Sequence, residues 1–395
     1  NKWLKAVVAI ESIVLLLVLA GVLFFWTGFQ KTKNMEEEDY AAAIAERQIK
    51  QQDESAEDLS AQADSEEIVT LEGDPLLLQA IRETAGSNEV TKRMLSGITR
   101  IAVIGDQIYT EETPVEDLEN IVYQDGFNDG MVNGGITDLS VLTNLPNLKE
   151  VFLCNQKISD ISPLQELPIE GLYVCGNQIK DFSPVEKMQE LSTLYLVDNP
   201  VGKMPQLSGC TKLTRLALCG NDYETLDFLQ GSSVCNLYAM GIYVEDESFG
   251  VLPTMQSLTE LYTGSEQKQF YEILPELTEL RTLSLWGGNF GTDLTIVSKL
   301  VNLQNLFVND EFVTSLSGIE NLQRLEVFCM DGTNATDISP LTKLPRLQVV
   351  RLQGVPIVEF APLFSCHSLQ EVEADSSQKE KIEQLGDPVF MIFVE

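Results

Sequence analysis

The chain has 395 residues, with 26 Lys+Arg against 60 Asp+Glu and a formal charge of -34. That balance leaves no electrostatic footprint for a phosphate polymer, so nucleic acid is not expected as a partner. His367 is the single histidine, so any Ser-His-Asp or Cys-His arrangement would have to be built on it, and the seven cysteines show no CxxC spacing; no enzyme activity, metal or cofactor is expected.

Residues 6–29 read AVVAIESIVLLLVLAGVLFFWTGF, with Glu11 as the one charge. At about 1.5 Å per residue this run crosses a hydrocarbon core of about 30 Å, so the chain is expected to carry an N-terminal transmembrane helix. Trp3 and Trp26 lie near its ends, lysines flank it on both sides, and no small-x-small cleavage site follows, which favours an uncleaved anchor over residues 1–33. Residues 34–72 are rich in Glu, Asp, Gln, Ala and Ser and are expected to form an acidic stalk, because they hold too few aliphatics to bury a core.

Gly73-Asp74-Pro75 opens a predicted helix with Asp74 as cap, Pro75 in the first turn, and Leu76, Leu77, Ala80 and Ile81 on its apolar face. NEVTKRMLSGI is a second short helical stretch. Residues 73–117 are thus expected to hold a helical cap and a first degenerate repeat.

From Leu148 one pattern recurs: Leu148, Val151, Leu153; Ile169, Leu172, Val174; Leu191, Leu194, Leu196; Leu213, Leu216, Leu218. This is L-x-x-L-x-L followed by a polar residue three places on, the leucine-rich-repeat phase. Further starts fall near Val234, Leu258, Leu280, Leu303, Leu325, Leu347 and Leu369, and upstream near Leu118 and, weakly, Ile98. So regular a period, about 22 residues, means stacked units that bury their apolar faces on one another. The fold class expected is an α/β repeat solenoid: a leucine-rich-repeat horseshoe with a parallel concave β-sheet over residues 118–375, closed by a C-terminal cap over 376–395. In the cap, KEKIEQL would form a helical turn and VFMIFV a last strand.

DPLLLQAIRETAGSNEVTKRMLSGITRI followed by ITDLSVLTNLPNLKEV resembles the N-terminal cap and first repeats of the internalin-like leucine-rich-repeat proteins of Gram-positive bacteria. The recurring DISPL at Asp160 and Asp337, with DFSPV at Asp181, carries the same likeness. It departs from that pattern where the asparagine position holds Ile242 or Gly288. The resemblance implies Ser-Pro pairs on the convex side and an exported, membrane-anchored bacterial cell-surface module, single-pass, with its repeat domain outside the cell.

Side chains alternate along a strand, so the residue between the fourth and sixth positions of each hexad faces the concave surface. That column begins Phe152, Tyr173, Tyr195, Ala217, Tyr238, Tyr262, Ser284, Phe307, with Trp286 alongside in the next one. An exposed aromatic strip of this kind is a candidate binding face for a protein or peptide, or for a glycan, since Tyr, Trp and Phe dominate binding hot spots; ring stacking for its own stability would give the same pattern. Cys154 and Cys175 are neighbours in the outer column, too few for a structural zinc. Asp125, Asn128, Asp129 and Asn133 in YQDGFNDGMVNGG read as turn residues rather than a calcium loop. The functional expectation is a non-enzymatic adhesion or binding module; the alternative is the sensor ectodomain of a longer protein with a cytoplasmic kinase or zinc-ribbon part.

Overall fold

The computed structural model describes residues 67–125, 133–245, 248–288 and 290–394. The expected membrane span lies outside the described residues, among which no helix is long and apolar enough to cross a membrane. The described residues divide into two compact units, the first ending at Gln178 and the second beginning at Ile179.

In the first unit the folded chain begins earlier than the expected boundary at residue 73. Val69 N donates to Val90 O and Lys92 N to Glu67 O, which ties residues 67–69 to the segment before the second helix. Helix α1 (Pro75–Ala85) is capped as the sequence predicts: Asp74 Oδ1 accepts from Leu76 N at 2.9 Å, and Leu77, Ala80 and Ile81 are buried. Thr91 caps α2 (Lys92–Gly97) in the same way. Strand β1 (Arg100–Ile104) turns at Gly105, whose φ of 61° suits a residue without Cβ, into antiparallel β2 (Gln107–Tyr109).

The repeat start expected at Leu118 is not one. Leu118 and Val122, four residues apart, are the buried side of helix α3 (Val115–Asp125), which follows Pro114 and carries Glu116 and Asp117 in its first turn. Proline before a helix and acids in its first turn favour a helix over a strand here, and the leucine spacing fits either. The weaker start at Ile98 is the true one: β1 pairs parallel with β3 (Glu150–Cys154), and β3 with β4 (Gly171–Tyr173).

In the second unit ten parallel strands, counted among the described residues, follow one another in one sheet: β5 (Thr193–Tyr195), β6 (Arg215–Ala217), β8 (Asn236–Met240), β10 (Glu260–Gly264), β11 (Thr282–Trp286), β12 (Asn305–Asn309), β13 (Val327–Cys329), β14 (Val349–Arg351), β15 (Glu371–Ala374) and β16 (Met391–Val394). Each of the first nine begins two residues after a predicted repeat start, and the hexad leucines below them are buried. The two-residue strands β7 (Asp222–Tyr223) and β9 (Tyr243–Val244) pair separately. The DxSP motifs at Asp181 and Asp337 share one geometry on the return path. In Asp181 and Asp337 the carboxylate accepts from the backbone N–H of Ser183 and Ser339 at 2.8 and 2.7 Å, and proline opens a 3-10 turn.

Asparagines bind one coil to the next. Asn199 Oδ1 accepts from Ile179 N, and Asn221 Oδ1 from Asn199 N, at 3.1 and 2.6 Å. Where the motif fails, a different group serves. After β10 the chain forms helix α4 (Lys268–Ile273), and Tyr271 donates its hydroxyl to Ser265 O at 2.6 Å. Gly288, at φ 98°, is required there, because a Cβ would lie 1.8 Å from that phenol oxygen. The C-terminal segment folds as helix α5 (Ser376–Glu383), with a capping box at Asp375, and strand β16; Met391 and Phe393 of that last strand are themselves exposed.

Candidate functional site

The sheet register reproduces the predicted column residue for residue. In the first unit Phe152 pairs with Tyr173. In the second, Tyr195, Ala217, Tyr238, Tyr262, Ser284, Phe307, Cys329, Arg351 and Glu373 are successive partners. All lie on the face opposite the hexad leucines, since Leu194 and Leu196, or Leu172 and Val174, flank them in the chain and point inward.

The expectation of an exposed strip is overturned. Phe152 and Tyr195 are 0% exposed, Tyr173 2%, Tyr262 4%, Tyr238 and Phe307 7%, and Trp286 9%. Contacts within each unit account for much of this. In the first, the rings of Phe152 and Tyr173 stack at 3.9 Å with planes 7° apart, and Tyr173 donates its hydroxyl to Glu119 of α3. Gly171 makes room for the pair, because a Cβ there would lie 2.0 Å from Glu150 Oε2 and 3.0 Å from the Tyr173 ring.

In the second unit the small Ala217 lets rings from strands two apart meet: Tyr195 packs edge-on to Tyr238 at 6.1 Å, and Tyr238 stacks on Tyr262 at 4.5 Å. Arg215 Nη2 donates to Tyr195 Oη at 2.7 Å, with its guanidinium carbon 5.5 Å from that ring's centroid. Asn236 Nδ2 donates to Glu260 Oε2 at 2.9 Å. Burial pushes the Glu260 carboxyl above its ordinary range, against the pull of Tyr262 and Arg215. Arg215, Asn236 and Glu260 are themselves register partners, forming a polar column two residues before the aromatic one. The sequence carries their signal at the third position of the hexads, where no recurring residue type marks it.

Further along, Trp286 Nε1 donates to Ser284 Oγ at 2.6 Å. Beyond Phe307 the column turns ionic. Arg351 Nε lies 2.6 Å from Asp331 Oδ2 and 3.2 Å from Glu373 Oε2, with Arg351 and Glu373 only 8% and 7% exposed. Burial holds the Asp331 carboxyl above its usual range despite that guanidinium. The seven cysteines are free thiols; burial pushes Cys219 up to about 12 and Cys366 to about 11, so both stay protonated at neutral pH. Among the described residues no group of three or more His, Cys, Asp or Glu is placed to hold a metal; Asn128 and Asp129 lie outside them.

No protein-family model matches the sequence, and no curated protein matches it. Solved structures do. An internalin (InlF) from Listeria monocytogenes aligns over 82% of this chain and 89% of its own, at 21% identity and a TM-score of 0.55. The fold is that of the internalin-type leucine-rich-repeat proteins. A leucine-rich-repeat protein of Leptospira interrogans aligns over 68% of this chain and 80% of its own, at 19% identity and a TM-score of 0.47. The functional domain of InlJ from Listeria monocytogenes aligns over 79% and 63%, at 13% identity and a TM-score of 0.46.

Proposed function

We propose that the protein is a non-enzymatic binding module that recognises a protein or peptide on the sheet face opposite its leucine core, held outside the cell by the apolar segment at residues 6–29. The observation that carries this reading is the register column itself. A run of side chains from Tyr195 to Glu373, aromatic first and ionic last, is stacked in one line on parallel strands. A face needed only for solubility would not be built from rings, an arginine and paired carboxylates. Because the rings are held by their neighbours, they form a preorganised floor, and a ligand meets it without ordering it first. In the second unit Trp286, Phe307, Tyr238 and Tyr262 supply the apolar part of that floor, Tyr195 supports it from beneath, and Arg351 and Asp331 form its charged end; in the first unit Phe152 and Tyr173 hold the corresponding positions on that unit's own sheet face. The helices α1 and α2, which precede β1, would serve as the cap of the first unit. The excess of acid over base in the whole chain disfavours nucleic acid as that partner.

Photo-crosslinking tests the reading. A benzophenone amino acid replacing Asn305, on the sheet face, should capture a protein at the cell surface; the same group replacing Lys343, on the 3-10 turn side, should not. Capture only from Lys343 would move the binding surface to the opposite side of the repeats.

A further inference from the structure

Helix α3 has no counterpart in the repeat. Strand β1 pairs directly with β3 over five residues, Arg100↔Glu150 to Ile104↔Cys154, so the sheet is continuous without it. After the helix the chain is pinned again by Gly134 N donating to Asn155 O at 2.8 Å and Ile136 N to Gln156 Oε1 at 3.2 Å. The helix is thus an excursion between two fixed points. It goes to the sheet face opposite the leucine core, since the Tyr173 hydroxyl on that face donates to Glu119, and Leu118 and Val122 on either side of Glu119 are buried. From residue 115 to 122 those two are the only buried side chains.

We infer that α3 is a built-in occupant of the ligand-facing side of the first unit, standing in for a partner segment of the same chemistry: an acidic amphipathic helix bearing two aliphatic side chains one turn apart with a carboxylate between them. This deepens, and rests on, the reading of that face as the binding face. Two features make the helix the element to lift. An isolated helix of eleven residues is marginal in water, so α3 keeps its form only while docked. Over residues 115–122 only Leu118 and Val122 are buried, so little apolar area holds the helix down. A partner helix presenting the same pattern, with its carboxylate toward Tyr173, would displace it and accept the same hydrogen bond.

Amide hydrogen exchange on the unmodified full-length chain is the first test and needs no partner. The α3 amides should exchange at least 100-fold faster than those of β1 and β3, by an opening that leaves the strands protected. Protection of α3 equal to that of β3 would make it part of the fold and overturn the inference. The second test uses a full-length variant with Leu118→Asp and Val122→Asp and a synthetic peptide of residues 113–125 as probe. The variant should bind the peptide at least ten-fold more tightly than the unaltered chain does, with exchange in β3 and β4 unchanged. Equal binding to both chains, or loss of protection throughout β1, β3 and β4 in the variant, would overturn it. Crosslinking at Asn305 reads the second unit, so failure of the binding reading and failure of this one give different results.

Discussion

The two units solve the same problem, a layer of rings on the face of a parallel sheet, in different ways. In the first, the stacked pair Phe152 and Tyr173 is finished by a carboxylate brought in on a helix from outside the repeat. In the second, Tyr195, Tyr238 and Tyr262 are finished by Arg215 and Glu260, which the repeat itself supplies from the neighbouring column. The difference separates what can be moved from what cannot. Lifting a helix leaves the strands of the first unit paired, whereas the arginine and glutamate of the second are as fixed as the strands that bear them.

The largest expected effect lies at the ionic end of the second unit. Arg351→Met should cost about 3 to 5 kcal/mol in a urea melt at pH 7, because the Asp331 and Glu373 carboxylates are left without the guanidinium in a largely buried place. The loss should shrink as the pH falls and Asp331, whose carboxyl is already held above its usual range, takes up a proton. A loss that grows with acid would contradict the buried-pair account.

A double-mutant cycle of Tyr173→Phe with Glu119→Gln comes next. Each single change should cost about 1 kcal/mol, and the double little more than either, since one hydrogen bond is removed in both. Tyr195→Phe, which removes the bond from Arg215, should instead add in full to Glu119→Gln. Additivity of the first pair would detach α3 from the ring layer.

The smallest effect is one of pH. Burial raises the Glu260 carboxyl above its ordinary 4.5, so the folded state holds that proton more firmly than the unfolded chain does. The contribution therefore moves against stability as pH rises through that window. Melting temperatures of the unaltered chain minus those of Glu260→Gln should become more positive from pH 7 to pH 5. A difference that is flat, or falls, would mean the carboxylate is solvated.

Much of the sheet is legible in the amino-acid sequence alone. Leu148, Val151, Leu153 and their repeats fix which residues face inward, and because side chains alternate strictly, the column from Phe152 to Glu373 follows without further information. What the period does not carry is anything lying above the sheet. Leu118 and Val122 satisfy a helix as well as a hexad, so α3 is hidden inside an apparent repeat. Nor does the spacing say how large the gaps between rings are: that Ala217 lets Tyr195 reach Tyr238 depends on a residue that looks like a break in the aromatic run. The Gly288 departure does mark real irregularity, because the Tyr271 hydroxyl on α4 fills the place a side chain would take there.

The account's central claim is that the rings on the sheet face are packed into the fold and not laid over it. Urea melts of Tyr195→Ala beside Leu194→Ala test this most directly, since the two residues are adjacent, both fully buried, and point to opposite faces. The account predicts comparable losses, about 2 to 5 kcal/mol each. A Tyr195→Ala variant that melts within about 0.5 kcal/mol of the unaltered chain, while Leu194→Ala loses the full amount, would contradict it.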